Sequence, residues 1–286
     1  MSSLKQRFIL AGLALPALIA AVLYLPYFNY AAIGIASSIF SGLGALEISR
    51  MFSRRNISIH PTQAFLSGAI LPAVRWVDAS EYLSVKLFSI ALLLSLGALV
   101  ARQACIFSNE KLKGALKKTA ASCMLVVYPG LFMSYIIRIC SFDFPALSLL
   151  LFFSLVFVND SLAYATGMLF GSGNRNIFAA SPNKSAAGLI GGFTGALGAA
   201  YIYYAFRPDL FLHNVFIPIP IALLSACAAN IGDLSESAMK RSAEVKDSGT
   251  LMKGRGGVMD TIDSILYTAP VFYYTMAVFT SRGQLW

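Results

Sequence analysis

Long apolar runs separated by short polar segments dominate the chain. A bilayer core takes about 20 apolar residues per helix. Nine runs approach that length: 8–28, 30–48, 64–77, 82–104, 120–140, 144–170, 186–206, 214–233 and 264–281. The pattern predicts an all-α polytopic membrane protein with about nine transmembrane helices. The third run is short and holds Arg75 near its end. Lys5 and Arg7 precede the first run, as in a signal peptide. No clear small-residue cleavage site follows, however, and many further apolar segments do, so this run is expected to be a retained helix.

Composition agrees with the pattern. The 286 residues are 57% hydrophobic and 12% charged, with a mean hydropathy of +0.70. Soluble domains carry about 25% charged residues, which argues against a soluble enzyme, and disordered chains are poor in apolar residues. The net charge is +9, from 22 basic and 13 acidic residues. In a soluble chain that excess would suggest nucleic acid; here it fits basic cytoplasmic loops, and nucleic acid is not an expected partner. With a cytoplasmic N-terminus and alternating runs, 17 of the 22 basic residues fall inside: Lys5 and Arg7; Arg50, Arg54 and Arg55; Arg102, Lys111, Lys113, Lys117 and Lys118; Arg175 and Lys184; Lys240, Arg241, Lys246, Lys253 and Arg255. Arg75, Lys86, Arg138, Arg207 and Arg282 stay outside. That asymmetry is the positive-inside signature. Cys105, Cys123, Cys140 and Cys227 are widely spaced and form no CxxC, so they read as small apolar residues.

The scarce charge is unevenly spread. Between Asp233 and Asp263, 11 residues are charged, with both signs mixed. If the eighth helix continues past Asp233, then Ser237, Lys240, Arg241 and Glu244 follow on one face, and Lys246-Asp247-Ser248-Gly249 would end it. The turn Gly254-Arg255-Gly256-Gly257 can bring backbone N–H groups close to a phosphate. Asp260 and Asp263 then share a face at the start of the ninth helix. Carboxylates of this kind suit a hard cation such as Mg²⁺, and the basic groups suit phosphate. The competing reading is a solvated loop whose charges pair with one another and set topology.

A second cluster lies upstream. Asp160 sits within an apolar run, where a carboxylate costs about 2.5–3.5 kcal/mol on insertion scales and usually faces a polar interior. The alternative is a structural hydrogen bond to a neighbouring helix. The loop Ser181-Pro182-Asn183-Lys184-Ser185 places Lys184 at a helix start, where it and the backbone N–H groups can hold an anion. Gly188, Gly191, Gly192, Gly195 and Gly198 read as a helix-packing face.

Two stretches carry a family resemblance. One runs Ser237-x-Met-Lys240-Arg241-x4-Lys246-Asp247-Ser-Gly249-x6-Gly256-Gly257-Val-x-Asp260-x-Ile-Asp263. The other comprises Asp160-x2-Ala163-Tyr164-x2-Gly167-x2-Phe170-Gly171 and Ser181-Pro-Asn-Lys184-Ser185-x2-Gly188. Together they resemble the signature of the phosphatidate cytidylyltransferases, the CDP-diacylglycerol synthases. The resemblance covers roughly 150–270 by motif and the rest by hydropathy. It implies a polytopic enzyme that uses CTP and phosphatidate with Mg²⁺, and leaves room for a monovalent cation such as K⁺ and for a homodimer. By position it implies Asp233, Asp260 and Asp263 as metal carboxylates, and Lys246 and Asp247 as further catalytic groups. Substrate would be held by Asp160, Ser181, Lys184, Ser237, Lys240, Arg241, Arg255, Gly256 and Gly257. The chain then divides into N-terminal transmembrane helices, 1–140, and a C-terminal catalytic domain, 141–286. A bacterial inner membrane is expected to house it, with the site facing the cytoplasm among membrane lipids.

Several positions depart from the family's usual pattern. Lys253-Gly254-Arg255 replaces a Pro-Gly-His-containing turn, Thr261 an arginine, Ala187 a glutamate and Met168 a basic residue. The runner-up is a CTP-dependent lipid-alcohol kinase acting on a polyprenol or phytol, which would share a similar motif but release CDP. A transporter or an inactive relative is the reading from a different class.

Overall fold

The computed structural model describes residues 3–79, 86–106, 112–252 and 256–280. Nine long helical stretches lie among these residues, and no named strand does. They are α1 (Ser3–Tyr24), α2 (Tyr27–Arg54), α3 (Pro61–Ala79), α4 (Leu87–Ala101, extended by a 3-10 turn to Cys105), α5 (Ala115–Ile139), α6 (Pro145–Phe170), α7 (Ala186–Phe206), α8 (Pro218–Ser242) and α9 (Met259–Thr280). Six of them, α2, α4, α5, α6, α7 and α8, are long and apolar enough to cross a membrane. The chain is an integral membrane protein. Helices α1, α3 and α9 fall outside that class: in α1 only Leu15–Tyr24 forms a shorter apolar helix, α3 carries Arg75 and Asp78, and α9 opens on Asp260 and Asp263.

The chain forms two compact units, each assembled from separate stretches of sequence. Unit 1 comprises Met1–Ser141 and Met239–Ile262; unit 2 comprises Phe142–Ala238 and Asp263–Trp286.

In unit 1, α2 and α3 meet through small residues, which let helix backbones approach in lipid. A Cβ at Gly68 would lie 2.4 Å from the Ser41 carbonyl oxygen, and the Ser41 hydroxyl donates to the Gly68 carbonyl at 2.8 Å. Helix α5 is interrupted by a π-turn, Val126–Leu131, at Pro129, which lacks an N–H to continue the ladder. Asp78 caps α4, accepting Leu87 N–H at 2.8 Å and Phe88 N–H at 2.7 Å. The Phe88 ring packs with Leu71 and Val126, and the Arg75 guanidinium lies 3.3 Å from its centroid.

In unit 2, the glycine face of α7 lies on α6. Cβ atoms at Gly188, Gly191, Gly192 and Gly195 would collide with Ala163, Thr166, Asn159 and Leu162, whereas Gly198 faces open space. Ser185 caps α7, its hydroxyl accepting Gly188 N–H at 3.0 Å. Aromatic rings close the apolar part, with Phe152 and Phe272 at 5.5 Å and Phe142 stacked on Tyr273 at 5.3 Å.

Candidate active site

Unit 1 gathers the predicted residues Lys240, Gly256, Gly257 and Asp260 into one network. Lys240 Nζ reaches Asp260 Oδ1 at 2.6 Å. Asp260 Oδ2 accepts Gly257 N–H at 2.7 Å and Ser248 N–H at 2.9 Å, and lies 2.7 Å from the Ser248 hydroxyl. Burial opposes the charge on Asp260. The Lys240 ammonium, the Gly257 N–H and the Ser248 hydroxyl and N–H outweigh it, holding the carboxyl below its ordinary range. Gly256 has φ +102, a conformation open to glycine at no steric cost. It pairs with Met252 through hydrogen bonds of 2.9 and 3.1 Å.

The same network contains a residue that the sequence reading missed. Glu47 of α2 is fully buried. Its Oε1 accepts Val258 N–H at 2.9 Å, and its Oε2 accepts Met259 N–H at 2.8 Å and lies 2.8 Å from the Ser248 hydroxyl. A lone carboxylate within an apolar run singles out Asp160; Glu47 sits at the end of its run, three residues before Arg50, where that signal is weak.

The end of α8 differs from the sequence expectation. The helix stops at Ser242 rather than near Lys246. Glu244 adopts φ +57. Val245 N–H returns to Lys240 O at 3.0 Å and Glu244 N–H to Arg241 O at 3.1 Å, the paired bonds that terminate a helix on a left-handed residue. Glu244 therefore leaves the face shared by Ser237, Lys240 and Arg241. Arg55 holds this terminus, donating to Ser242 O and pairing with Glu244 at 3.0 Å. Arg241, Lys246 and Asp247 are exposed. Arg255 and Lys253 lie outside the described residues, as do Lys111 and Arg282.

Unit 2 gathers a different set. Lys184 Nζ lies 2.8 Å from Asp233 Oδ2, and the Ser237 hydroxyl donates to Asp233 Oδ1 at a long 3.5 Å. Ser181 shapes the turn that carries Lys184, its carbonyl accepting Lys184 N–H at 3.1 Å. Helix α8 crosses α9 at Gly232, where a Cβ would lie 2.4 Å from the Asp263 carbonyl oxygen. That backbone-on-backbone approach brings the helix segments bearing Asp233 and Asp263 together. Asp263 is buried, and its Oδ1 accepts Ser264 N–H at 2.6 Å. Asp160 is exposed and accepts an Asn159 N–H at 3.0 Å, while Asn230 donates to Asn159 at 3.4 Å and ties α8 to α6.

Among the described residues, no group of three or more carboxylate, imidazole or thiolate side chains is placed to hold a metal. Asp233 and Asp263 do offer the hard oxygen ligands that Mg²⁺ takes, often from only one or two carboxylates plus substrate phosphates.

The family model described as "Cytidylyltransferase family" matches residues 5–279. The phosphatidate cytidylyltransferase of Thermotoga maritima is 38% identical over 165 residues, covering 57% of this chain and 60% of that protein. That of Bacillus subtilis is 30% identical over 211 residues, covering 71% of each. That of Haemophilus influenzae is 39% identical over 128 residues, covering 44% of each. With nearly its whole length matched by the family model, and with the family's charged residues folded into tight local networks, the chain belongs to the cytidylyltransferase family.

Proposed function

We propose that this protein transfers the cytidylyl group of CTP to phosphatidate, forming CDP-diacylglycerol and pyrophosphate for phospholipid synthesis. The observation that carries the reading is the family match over 5–279, whose relatives include the three named phosphatidate cytidylyltransferases. A phosphate oxygen of the lipid attacks the α-phosphorus of CTP in line, and pyrophosphate departs. The lipid phosphate is already an anion, so no side-chain nucleophile is needed. The protein contributes positioning and cationic neutralisation of the phosphates. In unit 2 that cation is Lys184, at the start of α7; in unit 1 they are Lys240, Arg241 and Lys246.

Asp233 and Asp263 would hold Mg²⁺, which when bound neutralises charge on the reacting phosphates. Asp260 spends both oxygens on Lys240, Gly257 and Ser248 and orders the loop. A monovalent cation such as K⁺ and a homodimer belong to the same proposal; exchange of K⁺ for Na⁺ and light scattering test them. The excess of basic residues on one side of the predicted topology supports a cytoplasm-facing site, and the bacterial relatives support the inner membrane.

The test is purified protein incubated with CTP, phosphatidate and Mg²⁺, followed by lipid chromatography. CDP-diacylglycerol with pyrophosphate is the expected product pair. Lipid phosphate with CDP would establish the kinase instead, a reading that the relatives' names do not favour. CTP binding without any product would establish an inactive relative.

A further inference from the structure

Glu47 is fully buried, yet it spends a carboxylate on the backbone of segments more than 200 positions away. Its partners are specific. Val258 N–H and Met259 N–H belong to the opening of α9, where unpaired N–H groups and the helix dipole favour an anion. The third partner is the Ser248 hydroxyl. That hydroxyl has a single hydrogen, and it lies between two carboxylates, 2.8 Å from Glu47 Oε2 and 2.7 Å from Asp260 Oδ2. The loop closes around Glu47 without room for any side chain: a Cβ at Gly249 would lie 2.3 Å from Oε1, and one at Gly257 would lie 2.3 Å from Oε2.

Glu47 thus holds both ends of the loop that presents Asp260. One end is Ser248 and Gly249, the other Gly257 to Met259. Asp260 in turn fixes Lys240. We infer that Glu47 is a positioning residue for phosphate transfer: it locks Ser248 and Gly249 against Gly257 to Met259 and, through Ser248, sets the geometry of Asp260 and Lys240. The functional half of this statement rests on the cytidylyltransferase reading above; the structural half does not.

Glutamine is a sharp probe. It nearly preserves shape, but its amide nitrogen cannot accept a hydrogen bond, so at least one loop donor faces another donor. Displacing a catalytic constellation by about 1 Å can cost about 100-fold in rate. E47Q is therefore expected to lower kcat about 100-fold while the protein stays folded in detergent, and E47D to recover part of the loss. S248A cuts the link between Glu47 and Asp260 but leaves both backbone bonds to Glu47; a fall in kcat of about 10-fold at an unchanged melting temperature is expected. The double variant E47Q/S248A should be no slower than E47Q, because both act along one chain of contacts. A general packing defect would instead multiply the two effects. Wild-type kcat in S248A, or multiplying effects, would overturn the inference; if E47Q does not fold, S248A alone decides it.

Amide hydrogen exchange separates the two readings. In E47Q the peptide carrying Val258 and Met259 should exchange at least about 10-fold faster, with the peptides of α6 and α7 unchanged. Unaltered exchange there would overturn the positioning claim whatever the activity. No CDP-diacylglycerol from the wild type, together with accelerated exchange in E47Q, would overturn the function reading and keep the loop lock.

Discussion

Asp260 and Glu47 of unit 1 use their carboxylates in the opposite way to Asp233 of unit 2. In unit 1, Asp260 and Glu47 are wrapped by N–H groups, a hydroxyl and an ammonium, all within 2.9 Å. In unit 2, Asp233 pairs with a single lysine at 2.8 Å and takes one long contact from Ser237, and it is more exposed than Asp260, 39% against 9%. A carboxylate can accept about four hydrogen bonds. Those of unit 1 are absorbed in holding backbone, whereas Asp233 keeps capacity for a ligand. The difference separates carboxylates whose acceptors are spent on their own loop from one that keeps acceptor capacity.

The largest test of that contrast is Asp263→Asn. If the Asp233 and Asp263 pair holds Mg²⁺, this variant abolishes CDP-diacylglycerol formation and remains folded. Chelation with EDTA should abolish wild-type activity, and Mg²⁺ should restore it. Turnover close to wild type in Asp263→Asn, measured by lipid chromatography, would reverse the roles assigned to the two units.

Next come the two close approaches. A Cβ at Gly232 would strike the Asp263 backbone, and one at Gly257 would strike the Ser248 hydroxyl at 2.0 Å as well as Glu47. Overpacking costs typically about 1–3 kcal/mol. Gly232→Ala should lower the melting temperature and separate α8 from α9, whereas Gly257→Ala should loosen the loop of unit 1. Hydrogen exchange resolved by peptide tells the two apart. A Gly257→Ala variant with unchanged exchange from Ser248 to Met259 would show that the loop is not tightly closed.

Much of this was written in the sequence, but not all of it in readable form. Runs 144–170 and 186–206 anticipate α6 and α7 almost to the residue, because apolar length alone marks such helices. The dense charge from Asp233 to Asp263 marks the candidate site, because lipid-embedded sequence is otherwise poor in charge. The glycine face of α7 was legible from its spacing except at Gly198, which meets nothing. Glu47 was not found: it lies near the end of its apolar run, three residues before Arg50, and looks like an interfacial charge. Only the fold reveals that Ser248, Gly249 and Gly257 to Met259 close on it. The termination of α8 was also hidden, since a left-handed Glu244 replaces the glycine that normally announces such an end.

A smaller effect concerns pH. Asp260 has its folded pKa held below the ordinary value, so its contribution to stability is present above the unfolded pKa, about 3.9. It is lost as pH falls through the folded value. In metal-free buffer the melting temperature of the wild type should drop as pH falls from about 5 towards 3, across the unfolded value. Asp260→Asn should flatten that acid limb without changing the alkaline side. An identical acid limb in both proteins would mean that Lys240 and the loop donors do not favour the ionised form of Asp260.

The smallest expected effect lies at the end of α8, where the ion pair is exposed. Arg55 and Glu244 lie 3.0 Å apart, but their side chains are 48% and 78% accessible. Such pairs contribute about 0–1 kcal/mol, unlike the enclosed Lys240 and Asp260 pair. Against this, Glu244 bears a left-handed backbone that costs a non-glycine residue about 1–2 kcal/mol. Glu244→Gly removes the strain and the weak pair together. Glycine also gains freedom in the unfolded chain, which offsets part of the relief. The variant should therefore be equally stable or more stable by up to about 1 kcal/mol, with full activity. A clear loss of stability would mean that the exposed Arg55 clamp matters as much as the buried contacts, and would erase the distinction between the surface and the interior of unit 1.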